Sequence, residues 1–145
     1  MNSYVISTWL VLLATTACLQ NVNCENLTPL MSAVKANDVD LVKRLLANGA
    51  DAKATYYGKS ALMMAAEYGD NKMVEILLPK SDAKAADTDG DTALMWAVKY
   101  GTAQMVERLL PKSDANDRNQ QGDTALDLAK ARESNQIVRL LQQYN

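Results

Sequence analysis

Histidine is absent from this 145-residue chain, and cysteine occurs only twice. Without histidine, the chain lacks the commonest general base and the commonest protein ligand of transition metals. Cys18 and Cys24 both precede the region that reads as a folded domain, so that region cannot build a nucleophile–base pair. The formal net charge of −2 provides no general attraction to nucleic acid or anionic lipid. These absences argue against an enzyme, a metalloprotein and a nucleic-acid-binding protein.

The N-terminal region lacks charge. The first 24 residues contain no Asp, Glu, Lys or Arg, and residues 5–14 form an apolar run of ten. That run is too short to cross a bilayer and is typical of the hydrophobic part of a secretory signal. We therefore predict a signal peptide over residues 1–17 and export of the mature chain. The alternative is a buried N-terminal helix or a misassigned start codon, because the usual basic residue near the start is missing.

Cys18 has two interpretations. Residues 13–18 resemble a bacterial lipoprotein signal, which implies that Cys18 is the lipidated first residue of the mature chain, although Thr15 replaces the usual leucine. Alternatively, cleavage after Ala17 leaves Cys18 and Cys24 free to form a small disulfide in an oxidising compartment. Both predict a periplasmic protein, free or lipid-anchored to a membrane that faces the periplasm. Residues 18–25 are then a short linker.

A short motif recurs at a spacing of 32 residues. Thr-x-Leu or Ser-x-Leu begins at Thr28, Ser60, Thr92 and Thr124, and an alanine follows five residues after each start. A period of this length indicates stacked supersecondary units that share one core and form an extended surface. The chain is therefore predicted to be a binding protein and not to enclose a catalytic pocket.

The second unit shows what each repeat contains. Ser60 is a suitable N-cap for a helix over residues 61–68, and Gly69 is predicted to end it in a left-handed conformation. A second helix with an apolar stripe is predicted over residues 71–78 and ends before Pro79. The third unit repeats these steps, with helices predicted over 93–100 and 104–110 and with Gly101 in the place of Gly69.

Two short helices and a hairpin-like connector in each unit resemble the ankyrin repeat, and residues 25–144 carry this pattern. The resemblance implies an all-α repeat solenoid of four stacked helix-turn-helix units joined by short β-hairpin-like connectors, at about 26–57, 58–89, 90–121 and 122–145. The family's histidine after Thr-Pro-Leu is replaced by Met31, Met63, Met95 and Asp127, so its hydrogen bonds are expected to be absent. Gln142 and Gln143 predict a polar cap on the last helix.

Two features could suggest a metal site, but the repeat explains both. The acidic run at residues 87–91 differs from a calcium loop, because Gly90 precedes the third acid and Val98 replaces the bidentate glutamate. It is predicted to be a hairpin tip with solvated acids. Most methionines recur at equivalent repeat positions, which predicts core packing. We expect no metal and no cofactor.

The ankyrin resemblance also implies where a partner binds, at the hairpin tips and the exposed edge of the first helices. Tyrosine and tryptophan at such positions are typical of protein interfaces. The alternative is that Tyr68, Tyr100 and Trp96 pack together and close the inner groove. Acidic hairpin tips favour a partner with a basic patch. The predicted partner-binding residues are Lys35, Tyr56, Tyr57, Lys59, Glu67, Tyr68, Asp89, Asp91, Trp96, Lys99, Tyr100, Gln120, Gln121, Asp123 and Arg132.

The resulting hypothesis is a monomer that catalyses nothing and binds a protein partner in an extracytoplasmic compartment. It would bind no nucleic acid and would reach a membrane only through a lipid anchor. An immunity or inhibitor protein fits this description, as does an accessory partner of a periplasmic enzyme. A secreted effector acting on host proteins is the alternative. Solenoid surfaces carry no general partner code, so all three roles stay open.

Overall fold

The computed structural model describes residues 27–68 and 70–144. The predicted signal peptide, Cys18, Cys24 and the predicted cap Gly69 lie outside these residues. The described residues form eight α-helices, one two-stranded hairpin and a short 3-10 turn at Leu110–Lys112. The helices and strands are α1 (Pro29–Lys35), α2 (Val39–Ala47), β1 (Thr55–Tyr56), β2 (Lys59–Ser60), α3 (Ala61–Tyr68), α4 (Asn71–Leu77), α5 (Ala93–Tyr100), α6 (Ala103–Leu109), α7 (Ala125–Ala131) and α8 (Asn135–Tyr144).

The helices pack in two parallel rows. The first helices of the units, α1, α3, α5 and α7, contact one another in order, and the second helices, α2, α4, α6 and α8, form the other row. Each first helix also packs on the second helix of its own unit. This arrangement confirms the predicted all-α repeat solenoid.

The repeated threonine or serine begins each first helix. The hydroxyl oxygens of Thr28, Thr92 and Thr124 each accept a hydrogen bond from the backbone N–H three residues later, and Ser60 does the same. The hydroxyl thereby satisfies an N–H that has no partner within the helix. This explains why the motif recurs in every unit.

The substitution of the family's histidine leaves hydrogen bonds in two units. The Met63 sulfur accepts a hydrogen bond from the Ser60 N–H, with 3.4 Å between the two heavy atoms. In the last unit the Asp127 carboxylate accepts from the Thr124 N–H and hydroxyl, at 3.1 and 2.8 Å. The expectation that such bonds are absent is therefore wrong for these units, because sulfur and carboxylate oxygen can both accept.

Gly101 ends α5, but not in the left-handed conformation predicted for this position. Its φ of −87° and ψ of −160° are extended. A Cβ added here would lie 2.8 Å from the Ala97 carbonyl oxygen and 2.9 Å from the Met105 sulfur. Glycine is therefore required by close packing between α5 and α6, and not by backbone handedness.

The first hairpin brings the second unit against the third. Tyr57 and Gly58 form its two-residue turn with φ of 50° and 76°, which is the positive-φ geometry that favours a tight hairpin. A Cβ on Gly58 would lie 2.7 Å from the Thr88 nitrogen in the next connector. Only glycine therefore permits this approach.

The next two connectors are held by side chains. Asp87 Oδ1 accepts hydrogen bonds from the N–H groups of Asp89 and Asp91, each at 2.9 Å. One period later, Asn119 Oδ1 accepts from the equivalent N–H groups at 3.1 and 3.0 Å. The Gln120 N–H also donates to the Asp89 carbonyl at 2.9 Å, which joins the two connectors. The hairpin side of the solenoid is therefore extensively cross-linked.

The core contains the residues that repeat. Met31, Met63 and Met95 are buried on the first helices, and Met73 and Met105 are buried on the second helices. The alanines of the repeat are buried as well, which lets adjacent helices approach closely. The methionines therefore fill the core as predicted.

Candidate functional site

An open groove of about 700 Å³ lies between the connector tips and the first helices. It spans the first three units, because α1, α3 and α5 and two connectors contribute side chains to it. Its lining residues are Leu27, Lys35, Tyr56, Tyr57, Lys59, Met64, Glu67, Tyr68, Asp87, Thr88, Asp89 and Trp96. An open groove of this kind suits an extended or convex protein surface better than an enclosed small molecule.

Trp96 forms part of the groove floor. Its indole Nε1–H donates to Asp87 Oδ2 at 2.8 Å, and its ring stacks on Tyr100 with 5.2 Å between the ring centroids. Because Asp87 is itself held by two backbone N–H groups, the indole has a fixed orientation. Trp96 thus combines the two roles considered for it, since it packs against Tyr100 and also faces the groove.

Lys59 covers the indole. Its ammonium nitrogen lies 3.5 Å from the Trp96 ring centroid and 2.9 Å from Glu67 Oε2. A cation above the face of an indole is attracted by the negative potential of that face. Lys59, Glu67 and Trp96 therefore form one unit, in which a cation is held between a carboxylate and an aromatic ring.

In the equivalent ion pair of the next unit, the carboxylate is buried. Asp91 is only 3% exposed, pairs with Lys99 and accepts a hydrogen bond from Asn119 Nδ2 at 3.0 Å. Asp91 was predicted to contact a partner, but its carboxylate is inside the fold. The buried carboxylate is held in place by the Asn119 amide and the Lys99 ammonium.

The tyrosines are the most accessible part of the surface. Tyr57 is 79% exposed, Tyr68 50% and Tyr100 56%. Tyr56 is half-buried and meets Tyr57 edge to face, with 4.5 Å between the ring centroids. Large aromatic rings that are left exposed beside a groove are typical of interface residues.

Two predicted acids have free carboxylates. Asp89 and Asp123 form no ion pair and accept no side-chain hydrogen bond within residues 27–68 and 70–144. Asp89 lines the groove and is exposed, whereas Asp123 is half-buried one unit further along. At the opposite end of the groove, Lys35 is exposed on α1.

The fourth unit and the connector before it contribute less to this surface than predicted. Gln120 Nε2 donates to the Thr88 carbonyl at 2.6 Å, and Arg132 Nη1 donates to the carbonyls of Val98 and Gly101 at 2.8 and 3.1 Å. These side chains connect neighbouring units. Gln121 is exposed, but the fourth unit adds nothing to the lining of the groove.

The structure thus gathers eight of the predicted partner-binding residues in the groove, and Leu27, Met64, Asp87 and Thr88 complete its lining. Leu27 and Met64 were not predicted to contact a partner. A sequence signal for Met64 existed. Its repeat position holds serine, methionine, tryptophan and leucine in the four units, so it varies where neighbouring core positions do not. Variation within the repeat marks this position as one that faces the groove.

Neither a metal cluster nor a membrane-spanning helix is found in the part of the chain that the structure describes. No three Cys, Asp or Glu side chains there are grouped so that they could hold a metal ion. No helix there is long and apolar enough to cross a membrane.

Stacked helix pairs with connecting hairpins and an open groove define the molecule as a helical-repeat solenoid. A family model described as ankyrin repeats in three copies matches residues 6–87 and again residues 62–145. The chain belongs to the ankyrin repeat family. No curated protein matches it. Ankyrin repeats are generally protein–protein interaction modules, and the fold is typically a non-catalytic scaffold.

Proposed function

We propose that this protein binds a partner protein through its groove and catalyses no reaction. The exposure of Tyr57 and Tyr68 beside the fixed Trp96 carries this proposal. Amphipathic rings left in solvent around an ordered floor provide contact area that loses little conformational entropy on binding. Among the described residues, the surface offers no comparable cluster of aromatic side chains elsewhere.

The rigidity of the groove supports the same function. Asp87 orients Trp96, Thr88 accepts from Gln120, and Gly58 packs against the Thr88 backbone. Contacts among three consecutive connectors hold their tips in place before any partner arrives. A preorganised surface needs less ordering on association, so more of the contact energy appears as affinity.

We propose an extracytoplasmic location, on the basis of the uncharged, apolar residues 1–17. Lipidation of Cys18 and a disulfide between Cys18 and Cys24 are the two candidate states of the mature N-terminus. In that compartment a monomeric solenoid would serve as an immunity or inhibitor protein, or as an accessory partner of a periplasmic enzyme. The alternative function is a secreted effector that binds host proteins.

Mass spectrometry of the protein purified from the cells that make it tests the location. A mature chain that begins at Cys18 and carries the added mass of a lipid supports anchoring. A chain that begins at Cys18 and is two hydrogens lighter than its reduced form supports the disulfide. Recovery of the whole unprocessed 145-residue chain would contradict export.

The binding proposal is tested by affinity capture followed by titration of the purified partner. The double variant Tyr68→Ala/Tyr100→Ala removes two exposed rings, and Tyr144→Ala removes one equally exposed ring from the end of α8. We expect the double variant to lose at least about tenfold in affinity, as for interface anchors, and Tyr144→Ala to bind normally. Full affinity of a folded double variant would contradict the proposal.

A further inference from the structure

The groove contains one cationic side chain of the protein itself, and its contacts show which chemical groups the groove can bind. The Lys59 ammonium lies against the Trp96 ring at 3.5 Å and beside Glu67 at 2.9 Å. In this arrangement the charges of Lys59 and Glu67 neutralise each other. The chemistry of the floor, an aromatic face next to a carboxylate, is the chemistry that recognises ammonium and guanidinium groups.

The charge that remains is divided between the two ends of the groove. Once Lys59 and Glu67 are paired, Asp87 and Asp89 leave negative charge on the third unit's connector, and Lys35 leaves one positive charge on α1. Asp87 is occupied with backbone and indole donors, whereas the Asp89 carboxylate has no cation among the described residues. The connector end therefore lacks a positive counterpart.

We infer that the partner places an arginine side chain at the connector end of the groove, against the exposed tyrosine rings and beside Asp89. This inference rests on the proposed protein-binding function and specifies the partner's chemistry. Arginine fits better than lysine, because its planar guanidinium stacks on aromatic rings and can pair with a carboxylate through two hydrogen bonds. Lys35, at the other end, orients the bound segment by repelling that arginine.

The probe that tests the inference is the blocked tripeptide acetyl-Gly-Arg-Gly-amide, with the citrulline tripeptide as its uncharged control. Each is titrated into the full ¹⁵N-labelled chain, and the indole N–H resonance of Trp96 is followed, identified by its loss in Trp96→Phe. The arginine peptide is expected to shift this resonance in a saturable manner that weakens with salt. The citrulline peptide is expected to cause a much smaller shift.

Two variants with equal loss of charge locate the site. Asp89→Asn removes the free carboxylate at the groove, and Glu107→Gln removes an exposed carboxylate on α6 that pairs with no other side chain among the described residues. Asp89→Asn is expected to weaken arginine-peptide binding about two- to fivefold, the range of an exposed ion pair, and Glu107→Gln to leave it unchanged. Equal effects of the two variants, equal shifts with the two peptides, or no shift with either would overturn the inference.

The inference and the proposed function fail separately. If a purified partner binds less tightly to Tyr68→Ala/Tyr100→Ala but equally well to Asp89→Asn, the groove binds protein and the arginine is not required. If the tyrosine double variant binds normally as well, the proposed function itself fails.

Discussion

Lys59 and Asp91 occupy equivalent positions 32 residues apart and have opposite charges in equivalent ion pairs. Each pairs with the residue eight positions later, Lys59 with Glu67 and Asp91 with Lys99. The pairing connects the end of a hairpin to the last turn of a first helix, so its polarity can be reversed without changing the fold. The first pair lies in the groove, whereas in the second the Asp91 carboxylate is buried and accepts a hydrogen bond from Asn119.

The two pairs should contribute differently to stability. Asp91→Ala leaves Lys99 and the buried Asn119 amide without their acceptor, and we expect a loss of about 1–3 kcal/mol in the free energy of unfolding. Lys59→Ala removes a partly exposed pair and a cation–π contact, and we expect a loss of about 1 kcal/mol or less. Urea unfolding followed by circular dichroism measures both. Equal losses would show that burial of Asp91 does not decide its contribution.

Arg132 is expected to stabilise the fold without contributing to binding. Its guanidinium donates to two carbonyls at the end of α5, for which the helix itself provides no N–H donor. Arg132→Ala should therefore lower the free energy of unfolding by about 1 kcal/mol. Partner affinity, measured below the unfolding transition, should stay the same. A loss of affinity at unchanged stability would show that Arg132 contacts the partner, as the sequence predicted.

Asp127 provides a pH-dependent contribution at the start of α7. The backbone N–H of Thr124, and then its hydroxyl, donate to the carboxylate and lower the pKa of Asp127. Because the folded pKa is lower than the unfolded one, the stabilisation is complete above the unfolded pKa. It is lost as the pH falls through the lowered folded pKa.

Carbon NMR of the Asp127 carboxyl measures this effect directly. Thr124→Val removes the hydroxyl and keeps the backbone N–H, so the pKa of Asp127 should rise part of the way to its usual value. Asp127→Asn removes the titrating carboxylate, so its pH-dependent contribution to the free energy of unfolding should disappear. An unchanged Asp127 pKa in Thr124→Val would contradict the assigned cause.

Much of the fold follows from the period, because each helix start, buried methionine and buried alanine recurs with it. The exceptions involve side-chain contacts that the repeat pattern does not predict. The requirement for glycine at residue 101 depends partly on the Met105 sulfur of the next helix, and no local propensity encodes that contact. Met63 and Asp127 accept hydrogen bonds because they occupy the third helical position, where a side chain can reach the cap.

The candidate site was predictable where exposure follows from position on the first helix or connector tip, as for Tyr57 and Tyr68. It was less predictable for charged side chains. Asp89 and Asp91 are two residues apart on one connector, yet the first is exposed and the second buried. Their difference depends on two partners of the Asp91 carboxylate, which accepts a hydrogen bond from the Asn119 side-chain amide and pairs with Lys99. Asn119 lies 28 residues from Asp91 in the sequence, so local pattern does not encode this contact.

The most direct test of the central claim is an NMR footprint of the purified partner on the full chain. The groove account predicts that backbone signals of Tyr57, Lys59, Tyr68 and Asp89, and the Trp96 indole signal, change or broaden on binding. Signals from Glu75, Arg108 and Lys112, which line a separate depression between the second helices, should stay unchanged. Changes confined to those three residues, with the groove signals unaffected, would contradict the account.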